Sequence, residues 1–372
     1  MSLKPLSGVR VLDFTAFPPG GYCTVLLADL GADVVRIESP AQAGKPSLVI
    51  GQVAMSRGKR SMTLDMRNPA SVDVLKRLVR SADVVVENAA PGAMEGRGFG
   101  YSHAQAENPK LVWCAMTGFG QDGPYANQPG HDLSYVAHSG LLGNLAPDLP
   151  WHPAGQLAIP LGALMAVVGI QSALIERVRS GVGGYLDLSL SESATWSLTG
   201  GVNALAASPY AILATPDRRL YACADGRFVA VASAEPRTWG ALCEALGVPE
   251  LKDTLHNREK AAATTETLAG IFQTRPAVEW VERLGSSGAA VSLVNHGAQL
   301  LDDPQVKARG TIVESAGVPV PANPIRLSSA DGSRTTTATA APHLVGQDTD
   351  DVLASAGFAA GEIASLRSAG LV

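Results

Sequence analysis

The sequence predicts an α/β protein: a large domain built on a parallel sheet, then a smaller α/β domain. Three observations carry this. Val9 to Phe14, Tyr22 to Leu30 and Asp33 to Glu38 read as strand, helix and strand, the unit from which parallel sheets are built. Val84-Val85-Val86 is an unbroken apolar run, as expected of a strand covered on both faces. Leu220 to Ala224 and Arg227 to Ala232 flank Asp225-Gly226, a hairpin pattern that opens a separate mixed block.

The 372 residues, 46% hydrophobic and 17% charged, are enough for a sizeable core in two domains. A net charge of −5 gives no electrostatic reason to expect nucleic acid or a membrane surface as partner. Cys23, Cys114, Cys223 and Cys243 have no metal-ligand spacing, so no metal is expected, and reduced thiols in the cytoplasm are. Met1 to Pro5 lacks the apolar core of a signal peptide. Ala158 to Ile175 carries no charge, but Pro160, Gly162, Gly169 and Gln171 interrupt it. A membrane span needs about 20 apolar residues, so a buried core helix is expected.

In chain order, Gly31 is placed to end the first helix in a left-handed cap. Pro18-Pro19-Gly20-Gly21 is not the Gly-x-Gly-x-x-Gly fingerprint, so no dinucleotide is expected. Met62 to Met66 reads as a strand. Asn68 is the expected N-cap, and Pro69 the first residue, of a helix reaching Ser81. Leu111 to Met116 and Tyr185 to Leu190 read as strands, and Ser191 to Ala207 as a helix. Asp225-Gly226 suits a type I′ turn. Helices follow at Arg237–Leu246, Thr264–Gln273 and Ala277–Leu284, then a strand at Ala289–Val294 and helices at Thr349–Ala356 and Ala360–Ala369. The expected organisation is a large domain at 1–190, a linker at 191–219 and a small domain at 220–300. A return linker at 301–324 and a C-terminal segment at 325–372 complete it.

Two polar clusters stand out at Thr117 to Gly162: Gly130-His131-Asp132 with Tyr135, and Gln156 at the mouth of the apolar helix. Together with Met116-Thr117-Gly118-Phe119-Gly120 and Gly123-Pro124, the first resembles the class III CoA-transferase and α-methylacyl-CoA racemase family, in its racemase-like form. The resemblance extends over nearly the whole chain. It implies a Rossmann-like large domain, an interlocked dimer and activity on acyl-CoA thioesters. It implies coenzyme A or acyl-CoA as substrate rather than a permanent cofactor, and a carboxylic acid as a possible acceptor. The partner it implies is a second copy or a paralogous chain.

The resemblance places Arg36 and the Arg57-Gly58-Lys59-Arg60-Ser61 segment beside the CoA adenosine and phosphates, where basic side chains suit the ligand. It assigns Asn88, Asp132 and Tyr135 to the CoA site. Ala89 and Ala90 replace the aromatic and Arg that the family usually has before Pro91-Gly92. Removing a proton α to a thioester needs a base and stabilisation of the enolate. His131 suits the first task, since an unperturbed imidazole titrates at roughly pH 6.5. Glu235 matches the small-domain Glu that orients the imidazole across the dimer. The family Asp at the start of the apolar helix falls on Ala158, and no acid lies between Trp151 and Ile175. An alanine is neither nucleophile nor base, and Gln156 can only hydrogen-bond. Asp148 and His152 stand upstream in the same loop. On these residues an enzyme of this family is expected, with a non-catalytic subunit of a heteromeric CoA-transferase or an acyl-CoA-binding protein without chemistry as the alternatives.

Overall fold

The computed structural model describes residues 2–16, 18–46, 52–145, 153–199, 215–337 and 344–372. The chain divides into two compact units, Met1–Gly200 with Ala308–Val372, and Gly201–Lys307.

The first unit runs β1 (Arg10–Asp13), α1 (Pro18–Asp29), β2 (Asp33–Glu38), α2 (Gln52–Ser56), β3 (Arg60–Thr63), α3 (Ser71–Arg80) and β4 (Val84–Glu87). It continues with α4 (Ala93–Gly96), α5 (Tyr101–Glu107), β5 (Val112–Thr117), α6 (Asp132–His138), α7 (Leu141–Leu145), α8 (Ala158–Ser180), β6 (Gly184–Ser189) and α9 (Leu190–Trp196). The strands form one six-stranded sheet in the order β3-β2-β1-β4-β5-β6, and every pairing is parallel. This is the doubly wound order, in which ligands bind beyond the strand C-termini where the winding reverses. Here the reversal lies between β1 and β4.

Alternate strand residues feed two cores. Val11, Val34, Val84, Val86 and Val112 pack on one face against α1 (Cys23, Leu27) and α8 (Ala163, Val167, Ile170). Leu12, Val35, Val85 and Trp113 pack on the other with Leu75 and Leu78 of α3. Both faces being covered explains why these strands read as apolar runs.

The second unit pairs β7 (Arg218–Ala222), β8 (Phe228–Ala232) and β9 (Val291–Leu293) antiparallel. Against them lie α10 (Pro236–Leu246), α11 (Ala261–Phe272) and α12 (Ala277–Leu284), around Trp239, Phe272 and Trp280. α13 (Pro304–Arg309) returns the chain to the first unit, where β10 (Ile312–Ser315) and β11 (Val318–Pro321) form a hairpin. α14 (Thr349–Ser355) and α15 (Ala360–Ser368) then close on the sheet edge. Asp348 accepts the Ser61 N–H at 2.8 Å, and Leu353 and Leu371 join the core.

Several local expectations need correction. The Asp225-Gly226 turn is not type I′, because only Gly226 has positive φ (+73°). Gly226 N–H donates to Cys223 O and Cys223 N–H donates to Arg227 O, the three-residue loop with a glycine bulge. Asn68 does not cap the following helix; its side chain accepts the Ala70 N–H, and α3 begins at Ser71. α9 stops at Trp196, and residues 200–214, with most of the expected linker, lie outside the described residues. α8 is buried on one face only. It is long and apolar enough to cross a membrane by length and composition. Leu164, Val168, Ile175 and Val178 face outward, while Ala163, Val167, Ile170 and Leu174 face the sheet.

Candidate active site

A cavity of about 580 Å³ lies over the carboxyl ends of β4 and β5, beside the sheet's reversal point. Asn88 to Pro91 follow β4, Met116 and Thr117 end β5, Gly118 follows it, Leu190 opens α9, and Pro18 and Pro19 open α1; all of them line it. His131, Tyr135, Gln156 and Ile159 complete the wall, so the loop motif and the mouth of α8 meet in one place.

Two glycines make this wall possible. A Cβ on Gly118 would lie 2.3 Å from Tyr135 Cε1, and one on Gly130 would lie 2.7 Å from the same atom. The ring therefore rests directly on backbone. Tyr135 donates its hydroxyl to Gly130 O at 2.6 Å and packs edge-on against Phe119. Burial, with the charge of Asp132, pushes its phenol above the usual range. We expect Gly118→Ala to dislodge the ring and cost about 1–3 kcal/mol, the range for overpacking. Chemical denaturation checks this; an unchanged midpoint would mean the ring moves aside freely.

His131 is exposed and serves as N-cap of α6; its backbone N–H approaches Ser134 Oγ at 3.4 Å. Asp132, which the resemblance assigns to the CoA site, is buried. Its carboxylate accepts the N–H of Leu157 at 2.9 Å and of Ile159 at 2.8 Å. It thus caps α8 from the neighbouring element, satisfying amides that no upstream residue of the helix reaches. This clamp fixes the start of α8 beside His131. Ala158, between those two amides, is fully buried with Val136 and Ala194 and does not line the cavity.

The basic segment also needs correction. Lys59 Nζ donates to Asp13 at 3.0 Å and to Thr24 Oγ1 at 2.5 Å, with both charged side chains 1% exposed. Arg57 pairs with buried Asp29 at 2.8 Å. Both are spent as internal counter-ions to carboxylates buried beside them. Arg60 pairs with Asp33 at 2.5 Å and Arg36 with Glu38 at 3.6 Å, both less completely enclosed. Asn88 accepts the Ala16 N–H at 3.1 Å, tying the loop after β1 to the end of β4.

Glu235 lies in the second unit as N-cap of α10 and accepts the Thr238 hydroxyl at 2.9 Å. Asp148 and His152 lie outside the described residues. Among the described residues no cluster of His, Cys, Asp and Glu could hold a metal ion.

Sequence reasoning missed two constructions. One is the Asp13–Lys59–Thr24 network, whose members are too far apart in sequence to suggest one another. The other is His138, with Nδ1 2.6 Å from Ser191 Oγ and its ring edge-on to Phe119 and Tyr125. It braces the loop that carries the outer cavity wall.

Residues 6–349 match the family model for CoA-transferase family III. With the doubly wound unit and its cavity, this assigns the class: the chain belongs to CoA-transferase family III. It is 30% identical to the human alpha-methylacyl-CoA racemase, over 98% of this chain and 96% of that protein. It is 30% identical to the acetyl-CoA:oxalate CoA-transferase of Acetobacter aceti, over 88% and 90% respectively. A crystal structure of a CAIB/BAIF family protein from Brucella suis superposes with a TM-score of 0.78 at 29% identity, covering 95% of this chain and 99% of that one.

Proposed function

We propose that this chain binds acyl-CoA thioesters and that His131 moves a proton at the α-carbon. The observation that carries this is the placement of His131 in a cavity at the sheet's reversal point, next to the clamped start of α8. Gln156 lines the same cavity and can donate a hydrogen bond to the thioester oxygen. Arg36 and Arg60 remain the basic groups proposed for the CoA phosphates, and Asn88 and Tyr135 shape the wall. Glu235 is proposed to orient the imidazole from the small unit of a paired chain, a second copy or a paralogue. Calorimetry with CoA and acyl-CoAs tests the reading, and absence of binding by all of them would sink it.

Ala158 favours a second reading, a subunit whose partner supplies the carboxylate. Ala158→Asp separates the two. The introduced acid would share the first turn of α8 with the Asp132 carboxylate, and two acids at one helix end raise each other's proton affinity. Ala158 is fully buried, so the variant should be less stable than wild type even with the acid protonated. An acid whose folded-state pKa is raised destabilises further as it ionises, so the deficit should widen from pH ~4 to pH ~7. Ala158 itself does not line the cavity, so the longer Asp side chain acts only where it reaches past Ile159 to the wall; there it should convert one-sided deuterium exchange into racemisation. No racemisation with acyl-CoA bound would favour the partner-subunit reading.

A further inference from the structure

We propose that a second cavity, at the opposite end of the parallel sheet, binds a small phosphate-bearing ligand. The proposal is independent of the acyl-CoA reading above. The cavity holds about 520 Å³ and lies before the starts of β4 and β5, where Asp83 and Lys110 lead into those strands. Arg80 at the end of α3 and Arg177 in the last turn of α8 complete the charged wall. Among the described residues that wall holds three cations and one acid. Three elements far apart in sequence deliver those cations to one hollow, in a protein whose net charge is −5.

The hydrogen bonds around the hollow leave donors, not acceptors, in surplus. The ends of α3 and α8 bring carbonyls here, and those carbonyls are met from within. Asn108 Nδ2 donates to Val79 O at 3.0 Å and to Ala82 O at 2.8 Å. Arg177 Nη1 donates to Asp83 Oδ1 at 2.9 Å and to Lys110 O at 3.3 Å. The second Asp83 oxygen accepts the Arg10 N–H at 2.7 Å. Arg80 uses only Nε and Nη2, both on Glu107, which also fixes its guanidinium plane. Arg177 uses only Nη1. Lys110 is exposed, and its ammonium has no partner among the described residues. Unused N–H donors on anchored cations match a phosphate dianion, whose oxygens accept several charge-assisted bonds at once. One carboxylate, with a single charge, would leave part of that wall unmatched.

The test titrates the full chain with inorganic pyrophosphate by calorimetry, with succinate as the carboxylate comparator. Pyrophosphate should bind, and succinate roughly tenfold more weakly. Lys110→Gln should weaken pyrophosphate binding by about tenfold, the usual effect of losing a hydrogen bond to a charged group. The substitution strands no partner, so the variant should fold as wild type, which circular dichroism checks. Arg80→Gln, at a second exposed cation of the wall, should act in the same direction. Lys76→Gln removes the same charge from α3 outside the cavity and should change affinity by less than about twofold. Arg60→Gln, at a group proposed for the CoA phosphates, should leave pyrophosphate binding equally unmoved. No binding at millimolar pyrophosphate overturns the proposal, as does binding that neither Lys110→Gln nor Arg80→Gln weakens. Equal weakening by Lys76→Gln would mean diffuse attraction, and loss with Arg60→Gln alone would put the ion in the CoA site; either result overturns it. Succinate bound as tightly as pyrophosphate would overturn the phosphate class.

Discussion

His131→Asn should abolish exchange of the acyl-CoA α-proton with solvent, lowering its rate by about 10²–10⁴, the usual worth of a general base. Asparagine is the informative replacement because His131 is the N-cap of α6, and asparagine is among the preferred residues there. The variant should therefore fold as well as wild type. Its amide cannot accept a proton near neutrality, so only the chemistry is removed. The measurement is deuterium incorporation at the α-carbon in heavy water, followed by mass spectrometry, with acyl-CoA binding measured in parallel. Binding should stay within about threefold, since the imidazole is one wall group among many in the cavity. Exchange at the wild-type rate would remove His131 from the mechanism. Lost exchange accompanied by lost binding would make His131 a ligand-holding residue instead.

Lys59→Met should be the most destabilising single change in the first unit, at about 3–5 kcal/mol, the cost of stranding one member of a buried ion pair. Lys59, Asp13 and Thr24 are all buried, and Thr15 adds two more hydrogen bonds to Asp13, at 2.6 and 3.0 Å. Burial alone pushes the Asp13 carboxyl up. Lys59, the hydrogen bonds from Thr15 and Thr24, and the charge of Arg36 together overcome this and hold it below the usual range. Burial also opposes the charge on Lys59, so the pair contributes less than its attraction alone suggests. The sign with pH follows. A depressed carboxyl pKa contributes stability above its unfolded value, about 3.9, and loses it as pH falls through the folded value. Without Lys59 that contribution disappears and burial dominates. The gap between wild type and variant should therefore be widest near neutrality and narrow toward pH ~4. Urea denaturation across this range measures it. A gap that is constant with pH would mean the lost stability comes from packing of the lysine stem, not from Asp13.

This network lies behind the first turn of α1, which brings Pro18 and Pro19 to the cavity. Thr24 donates to Asp13 at 2.6 Å and to Gly20 O at 2.8 Å, so the first turn of α1 is tied to the end of β1. Partial damage, as in Thr24→Val, should weaken acyl-CoA binding by severalfold with a smaller stability loss, near ~1 kcal/mol per hydrogen bond removed. Binding titration beside denaturation separates the two effects, and unaltered affinity would make the network purely structural.

The parallel sheet was readable from the chain because its strands are short apolar runs separated by helix-length segments. Strand period and helix caps are local properties. Gly31, for example, adopts φ +101° at the end of α1, where its place after the apolar helix calls for a left-handed residue. The Gly130-His131-Asp132 motif was readable too, because its residues are adjacent in sequence. The roles within it were not. Asp132 reads as a residue of the CoA site, and only the fold brings it to Leu157 and Ile159, twenty-five and twenty-seven residues away, whose amides it caps. Lys59 and Arg57 read as a basic patch for phosphates until β3 is laid beside β2, with Asp13 and Asp29 next to them. The sequence by itself determined the strands of the parallel sheet, the long helices between them and which loop holds the histidine, because those follow from neighbours along the chain. Only the tertiary structure decided which charges are neutralised internally and which side chains face the cavity. A charge's partner is set by proximity in space, and no local pattern encodes a contact between residues dozens of positions apart.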